Sequence, residues 1–89
     1  MSCNFIVYDL ESTCWEKKPK LNGLKTETIE IGAVKLDMNL NLIDEFDEFI
    51  RPIINPTLSD FCMNLTHITQ ADVNSARLFK EVITDFKKW

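Results

Sequence analysis

The chain has 89 residues, enough for one small domain with a marginal core, because a domain of this size buries only about 60 to 65% of its unfolded surface. Its net charge of −4 argues against a broad basic surface for nucleic acid, although binding through a metal ion and a short basic loop stays open. No apolar run approaches the roughly 18 residues that span a bilayer, and no leader pattern opens the chain, so we expect a cytoplasmic protein without membrane contact.

The first predicted element is an apolar strand that ends in two acids. Residues Phe5 to Thr13 are rich in β-branched and aromatic side chains, which predicts a buried β-strand. Asp9 and Glu11 are two residues apart, so both carboxylates point to the same face. Such a pair repels unless a divalent cation or a basic neighbour offsets its charge, and oxygen ligands without histidine favour Mg²⁺ or Mn²⁺. The alternative is a solvated strand end, because this spacing of acids is common.

A polar loop follows the acidic strand. The segment Lys17 to Lys25 contains four lysines together with proline and Asn-Gly turn signals. It is either a solvated loop or a phosphate contact beside the metal site. The three cysteines are odd in number and lack the spacing of a zinc knuckle, so we expect reduced thiols at Cys3, Cys14 and Cys62.

Two further strands are predicted, joined by a turn at 38–41. Thr28 to Asp37 alternates, and Leu42 to Pro52 is a strand of mixed alternation, so the three strands should form an antiparallel meander. Glu30 falls on a face that is otherwise apolar, which means that it lies at the wet end of the sheet or points at a partner. The opposite face of the second strand carries Ile29, Ile31, Ala33 and Lys35.

Helices occupy the rest of the chain. Leu58 to Leu65 has apolar residues at positions 58, 61, 62 and 65, the spacing of a short amphipathic helix. Thr69 and Asp72 resemble a capping box at the start of another short turn. Leu78 to Trp89 has apolar residues at helical spacing and lysines in its last turn, which predicts a longer helix. This order of strands and helices is typical of an α/β or α+β domain in which helices cover one face of the sheet.

Several of these segments together resemble a known family. Asp9 to Trp15 looks like the first motif, D-x-E-x-T, of the DEDD-type 3′-5′ exonucleases, a ribonuclease H-like superfamily that includes RNase T and the histone-mRNA 3′ exonuclease group. The further matches are Glu30 to Leu36, Phe49 to Pro52, Leu58 to Cys62 and Leu65 to Gln70. The resemblance implies an α/β, ribonuclease H-like exonuclease fold in truncated form: a three-stranded antiparallel meander, then short helices and one longer C-terminal helix.

The resemblance also implies a chemistry. A relative of these enzymes would be a metal-dependent 3′-5′ exonuclease that releases 5′-mononucleotides from the 3′ end of single-stranded RNA or DNA. Asp9 and Glu11 would be the catalytic metal ligands for Mg²⁺ or Mn²⁺. Substrate contacts would come from Ser12, Thr13, Trp15, Glu30 and Thr66. Trp15 would stack on the last base, although it would equally pack under the lysine loop.

His67 and Asp72 match the spacing H-x-x-x-x-D of the family's third motif, in which the histidine is a general base. The position of this segment before an early helix, and the capping role of Asp72, instead favour a turn residue with positive φ at His67. The second and third catalytic motifs are therefore expected to be absent from residues 1–89, which we interpret as the N-terminal portion of one exonuclease domain.

Two carboxylates without a base predict little or no activity for these residues alone. The alternative function is a non-catalytic protein-interaction module derived from the same fold. Its bare sheet edge would be covered in a homodimer.

Overall fold

The computed structural model describes residues 4–16 and 25–89, and it has the architecture that the sequence predicts. The elements are β1 (Phe5–Ser12), β2 (Thr28–Leu36), β3 (Leu42–Phe49), α1 (Asp60–Thr66), α2 (Gln70–Asn74) and α3 (Phe79–Lys88). The strands form one antiparallel sheet in the order β1-β2-β3, which confirms the meander. The third strand is shorter than predicted: the Ile50 amide still donates to the Ile29 carbonyl of β2 at 2.8 Å, but Ile50 forms an isolated parallel bridge with Arg77 and lies outside β3. The predicted lysine loop lies mostly outside the described residues.

One face of β2 carries the core. Its alternation places Ile29, Ile31 and Ala33 on the side that the helices cover, and all three are buried. Two clusters result: Ile29 with Leu58, Cys62, Ile68 and Val73, and Ile31 with Ile50 and Val82. Each fully buried aliphatic side chain contributes roughly 1.5 to 3 kcal/mol, so these two clusters are the main stabilising feature of the sheet.

The prediction that β1 is a buried strand is wrong for most of its length. Its side chains from Phe5 to Leu10 are exposed, and Tyr8 retains 61% of its surface. The reason is that β1 pairs with β2 on one edge, pairs with no described strand on the other, and lies beside the helix-covered core. Tyr8 touches only the rim of the core, with its ring centroid 6.2 Å from that of Phe86. Complete burial is reached just past the strand, where Thr13 is 2% exposed.

The helix boundaries follow the capping residues. Ser59 caps α1 by accepting a hydrogen bond from the Cys62 amide at 3.0 Å, and Thr69 and Asp72 form the predicted capping box of α2. His67 ends α1 in the left-handed region, with φ of 61°, which confirms the predicted positive φ. None of the described helices is both long enough and apolar enough to cross a membrane.

Candidate active site

Four carboxylates lie on the sheet face opposite the core. Asp9 is paired across the strands with Gly32, which is paired with Asp47, and Glu11 is paired with Glu30. Because side chains alternate along each strand, this register places Asp9, Glu11, Glu30 and Asp47 on one face. Gly32 leaves the space between Asp9 and Asp47 open, and a Cβ atom built there would meet the Asp47 Oδ1 atom at 3.9 Å. The predicted common face of Asp9 and Glu11 is therefore present.

The negative charge of this face changes the titration of Glu30. A hydrogen bond with Asp47, followed by burial and by repulsion from Asp47, Glu11 and Asp9, raises the pKa of Glu30 to about 7. Glu30 thus does have a partner, but that partner is another carboxyl group, and a proton shared between them relieves the repulsion near neutral pH. The predicted contact of Glu30 with substrate stays a prediction.

The donor chemistry of the face fits part of a site for a hard cation. Asp9 is exposed and Glu11 is half-buried, so both carboxylates are accessible from solvent. Mg²⁺ binds through one or two carboxylates and completes its shell with water and phosphate oxygens. Within residues 4–16 and 25–89, however, no three acidic, histidine or cysteine side chains converge closely enough to hold a metal ion. Asp9 and Glu11 would therefore supply a partial ligand set.

The backbone that follows these acids is firmly anchored. The Thr13 amide donates to the Glu27 carbonyl at 2.8 Å, and the Thr13 hydroxyl accepts from the Glu27 amide at 2.8 Å. The strand pairing shifts between Glu11 and Ser12, which redirects the chain at the last acid. The buried hydroxyl of Thr13 accepts this hydrogen bond and so helps to fix the chain that carries Glu11. The predicted contact of Thr13 with substrate stays a prediction.

Helix α1 is attached to the same end of β1. The Ser59 hydroxyl donates to the Cys14 carbonyl at 2.7 Å, and the Cys62 thiol lies 3.7 Å from the Ser12 carbonyl oxygen. Cys14 and Cys62 are both free thiols, as predicted, whereas Cys3 lies outside the described residues. Burial, together with the Cys62 thiol, raises the pKa of Cys14 to about 11, so this thiol stays protonated and unreactive.

The other predicted site residues lie near this junction but have separate surroundings. Ser12 and Trp15 are half-buried. The Thr66 hydroxyl donates to the Cys62 carbonyl at 2.8 Å and accepts from the Ile68 amide at 3.2 Å, so it closes the end of α1. His67 is exposed, and Asp72 accepts from the Thr69 amide at 2.9 Å in its capping role. Substrate contacts by Ser12, Trp15 and Thr66 stay predictions.

Sequence reasoning missed three residues of this region. Asp47 was not singled out, although the register imposed by the turn at 38–41 places it beside Gly32. Phe61 and Leu65 were predicted on the apolar stripe of α1, yet they are 39% and 62% exposed, and only Leu58 and Cys62 of that stripe are buried. The prediction fails because α1 is only seven residues long and packs one narrow edge against the core. Two apolar side chains one helical turn apart therefore remain on the surface of a helix anchored beside the acidic strand.

Comparison with solved structures identifies the fold. The chain superposes with a TM-score of 0.87 and 38% identity on the nuclease domain of 3′hExo, a DEDDh family member, bound to rAMP, covering 97% of this chain and 42% of that one. It matches a 3′-exonuclease in 3′-end specific recognition of the histone mRNA stem-loop with a TM-score of 0.85 and 37% identity, over 96% of this chain and 29% of that one. The sheet and helices are thus a fragment of the ribonuclease H-like DEDDh exonuclease fold.

The sequence comparisons agree with this fold. The model of the RNase T exonuclease family matches residues 6–89, so the chain belongs to that exonuclease family. Among curated relatives, the 3′-5′ exonuclease eri1 of Schizosaccharomyces pombe is 37% identical over 90% of this chain and 27% of its own length. Human ERI1 exoribonuclease 2 is 41% identical over 94% of this chain and 12% of its own length. The chain therefore spans less than a third of the length of these two relatives.

Proposed function

We propose that Asp9 and Glu11 are metal ligands in a 3′-5′ exonuclease that acts on the 3′ end of single-stranded RNA or DNA. The observation that carries the proposal is their shared face at the anchored end of β1. Beside them, a hydrogen bond with Asp47, burial and repulsion from neighbouring carboxylates raise the pKa of Glu30 to about 7. A site with this excess of negative charge favours a bound dication such as Mg²⁺ or Mn²⁺. The exonuclease family match supports the same chemistry.

In such an enzyme, different residues of this chain would bind the metal ions and position the substrate. When bound, the divalent ions would activate water and stabilise the leaving oxygen of an in-line displacement. Asp9 and Glu11 would bind those ions, and the backbone from Glu11 to Thr13, held in place by Glu27, would position the terminal 3′-hydroxyl. Trp15 and the exposed Phe61 and Leu65 offer apolar surface for the last bases near the same junction. Ser12, Glu30 and Thr66 are proposed as further substrate contacts.

For residues 1–89 alone we propose metal binding with little or no cleavage. We interpret them as the N-terminal portion of a single exonuclease domain, without its second and third catalytic motifs. Two carboxylates on one face are too few to hold two dications, and His67 is an exposed turn residue rather than a base beside the acids.

Manganese titration tests the metal site directly. Mn²⁺ added to the 89-residue protein should broaden the amide NMR signals around Asp9 and Glu11, and Asp9→Ala should remove this effect. Glu48→Gln is the matched control, because Glu48 is exposed and is paired with Ile31, whose side chain faces the core. Equal broadening in the native and Asp9→Ala proteins would contradict the proposed site.

Cleavage is a separate measurement. Labelled single-stranded RNA and DNA incubated with the protein and Mg²⁺ or Mn²⁺ should remain largely intact. Stepwise shortening from the 3′ end that disappears in Asp9→Ala would overturn the proposal of weak activity while supporting the proposed metal ligands.

A second candidate function is protein association through the edge of β1, either in a homodimer or in a non-catalytic interaction module. This candidate is supported by five exposed apolar side chains on one strand whose outer edge pairs with no described residue: Phe5, Ile6, Val7, Tyr8 and Leu10. Sedimentation of the native protein and of Val7→Lys would test it, since a charge at the centre of the edge should dissociate such a dimer. A native protein that stays monomeric at high concentration would rule out the homodimer.

We also propose a cytoplasmic location, which the free thiols of Cys14 and Cys62 support because reducing compartments preserve such thiols. Microscopy of the tagged protein would test this.

A further inference from the structure

A groove borders the core where the chain leaves β3. Its volume is about 510 Å³, and its floor includes Ile50, which belongs to the core cluster of Ile31 and Val82. One wall is the loop after β3, with Ile53 and Ile54, and the other is the start of α3, with Leu78 and Phe79. Ile53, Ile54 and Phe79 remain 69%, 53% and 48% exposed. Three large apolar side chains therefore face solvent around one concave surface.

The groove is held open by hydrogen bonds. The carboxylate of Glu27 accepts from the amides of Ile53, Ile54 and Asn55 at 2.8 to 2.9 Å. Burial alone would raise the pKa of Glu27, but these three amides lower it below its ordinary value. The Arg51 amide donates to the Arg77 carbonyl at 2.9 Å, which ties the loop to the residues before α3. A ligand would therefore bind a preformed surface without the cost of ordering it.

The rim of the groove is positively charged. Arg51 and Lys80 line it, both are exposed, and neither forms an ion pair with any described residue. Arg77 nearby differs, because its guanidinium is paired with Asp85 at 2.7 Å. The one carboxylate that lines the groove, Glu27, stays ionised, but its oxygens accept from the loop amides and pair with neither cation, so the lining has a net positive charge. Two unpaired cations beside an aliphatic groove are thus a local exception in a chain with a net charge of −4.

We infer that this groove, which we call the Ile53–Phe79 groove, binds an acidic amphipathic peptide segment of a partner protein. Two or three aliphatic side chains of the segment would fill the cavity, and its carboxylates would pair with Arg51 and Lys80. A nucleic acid fits less well, because Phe79 is the only aromatic side chain in the lining and the walls offer no series of rings on which bases stack.

This interaction is independent of the proposed metal site. The floor of the groove at Ile50 belongs to the core cluster of Ile31 and Val82, whereas Asp9 and Glu11 lie on the other face of the sheet. Loss of peptide binding should therefore leave Mn²⁺ binding intact, and loss of Mn²⁺ binding in Asp9→Ala should leave peptide binding intact.

The test uses a fluorescein-labelled amphipathic helical peptide with a leucine face flanked by glutamates. Fluorescence anisotropy with the 89-residue protein should detect saturable binding, and the double variant Arg51→Glu, Lys80→Glu should weaken it at least about tenfold. Lys87→Glu is the matched control, because Lys87 is an exposed lysine at the far end of α3. A second variant, Ile53→Ser, should weaken binding without changing the charge of the protein. Circular dichroism should give the native melting curve for all three proteins, since each side chain is exposed.

Charge exchange makes the result decisive. A peptide in which lysines replace the glutamates should bind the double variant better than it binds the native protein. The inference is overturned by absence of saturable binding, by equal binding in the double variant, or by equal weakening in Lys87→Glu. It is also overturned if a single-stranded RNA probe binds through Arg51 and Lys80 more tightly than the acidic peptide, or if the native protein self-associates and the double variant does not.

Discussion

The two faces of the sheet are built from the same strands but differ in chemistry: one buries apolar side chains, and the other brings carboxylates together. On the core side, β2 presents Ile29 and Ile31 to the helices, and their burial stabilises the fold. On the other side, the same strand presents Glu30 to a carboxyl group of β3, and their repulsion has to be relieved by a shared proton. Alternate residues of β2 therefore serve the stability of the fold and the chemistry of the acidic face. A mutation on one face should change stability or metal binding without changing the other.

The largest effect is expected on the core side. Ile31→Ala removes a side chain that is 1% exposed and leaves a cavity against Ile50 and Val82, which should reduce the free energy of unfolding by about 3 kcal/mol. Val7→Ala on the exposed strand should cost less than about 1 kcal/mol. Urea denaturation of both variants measures the difference. Equal losses of unfolding free energy in the two variants would mean that Val7 of β1 is covered in solution, and the two faces would then not differ in burial.

The next largest effect on stability is expected at Thr13, the buried residue just after β1. Thr13→Val keeps the shape of the side chain but leaves the Glu27 amide without its acceptor, so it should cost about 1 to 2 kcal/mol. Thr84→Val removes an exposed hydroxyl that donates to the Lys80 carbonyl, and it should cost less than about 0.5 kcal/mol. Thermal melting of the two variants measures how much the hydrogen bond between the Glu27 amide and the Thr13 hydroxyl stabilises the fold. Identical melting temperatures would contradict the expected contribution of this bond.

A smaller effect, dependent on pH, should appear on the acidic face. The pKa of Glu30 is raised to about 7 in the folded state, above its ordinary value of 4.5, so between these values the folded protein binds a proton that the unfolded chain releases. The free energy of unfolding should therefore fall as pH rises from about 4.5 to 7, and this contribution is lost above pH 7. Glu30→Gln should flatten this dependence and be more stable than the native protein at pH 8 by about 1 kcal/mol, after allowance for solvent screening.

Denaturation at several pH values, in the presence of a chelator, measures this dependence. The sharper form of the test adds Mg²⁺, which should stabilise the native protein at pH 8 if the cation relieves the same repulsion. Parallel pH profiles for the native and Glu30→Gln proteins would show that the two carboxyl groups do not interact.

The smallest effect is expected at the end of α1, which packs on the core side. His67 has φ of 61°, a conformation that glycine adopts more easily, so His67→Gly should stabilise the protein by about 0.5 to 1 kcal/mol. Asn64→Gly, within the same helix, should destabilise it by about 0.3 kcal/mol, because glycine is a poorer helix former than asparagine. Opposite signs in thermal melting would support this assignment, and a loss of stability in both variants would contradict it.

Local patterns in the sequence were sufficient for much of this fold. The period of two in β2, the helical spacing of α3, the capping box at Thr69 and the positive φ at His67 each depend on neighbouring residues, and all are present in the structure. Asp9 and Glu11 were placed on one face for the same reason. The antiparallel pairing of β2 with β3 followed from a turn too short for a parallel connection.

The features that sequence reasoning missed depend on contacts between residues that are far apart in the sequence. The apolar residues of β1 fit a buried strand, but burial is decided by neighbours that lie elsewhere in the chain or outside it. Phe61 and Leu65 fit an amphipathic helix, yet α1 is too short to bury its whole stripe. The pairing of Glu30 with Asp47 required the register of two strands, and the Ile53–Phe79 groove required the hydrogen bonds of Glu27, which connect residues 26 to 28 positions apart.

Glu27 holds two separate parts of the structure, one with its main chain and one with its side chain. Its main chain holds Thr13, and its carboxylate holds the loop from Ile53 to Asn55. Replacing it with glutamine would keep the first attachment and weaken the second, because both carboxylate oxygens accept from loop amides and glutamine has only one acceptor oxygen. Glu27→Gln would thus loosen the wall of the Ile53–Phe79 groove while sparing the strand that carries the acids, so a single substitution would separate the proposed peptide binding from the proposed metal binding.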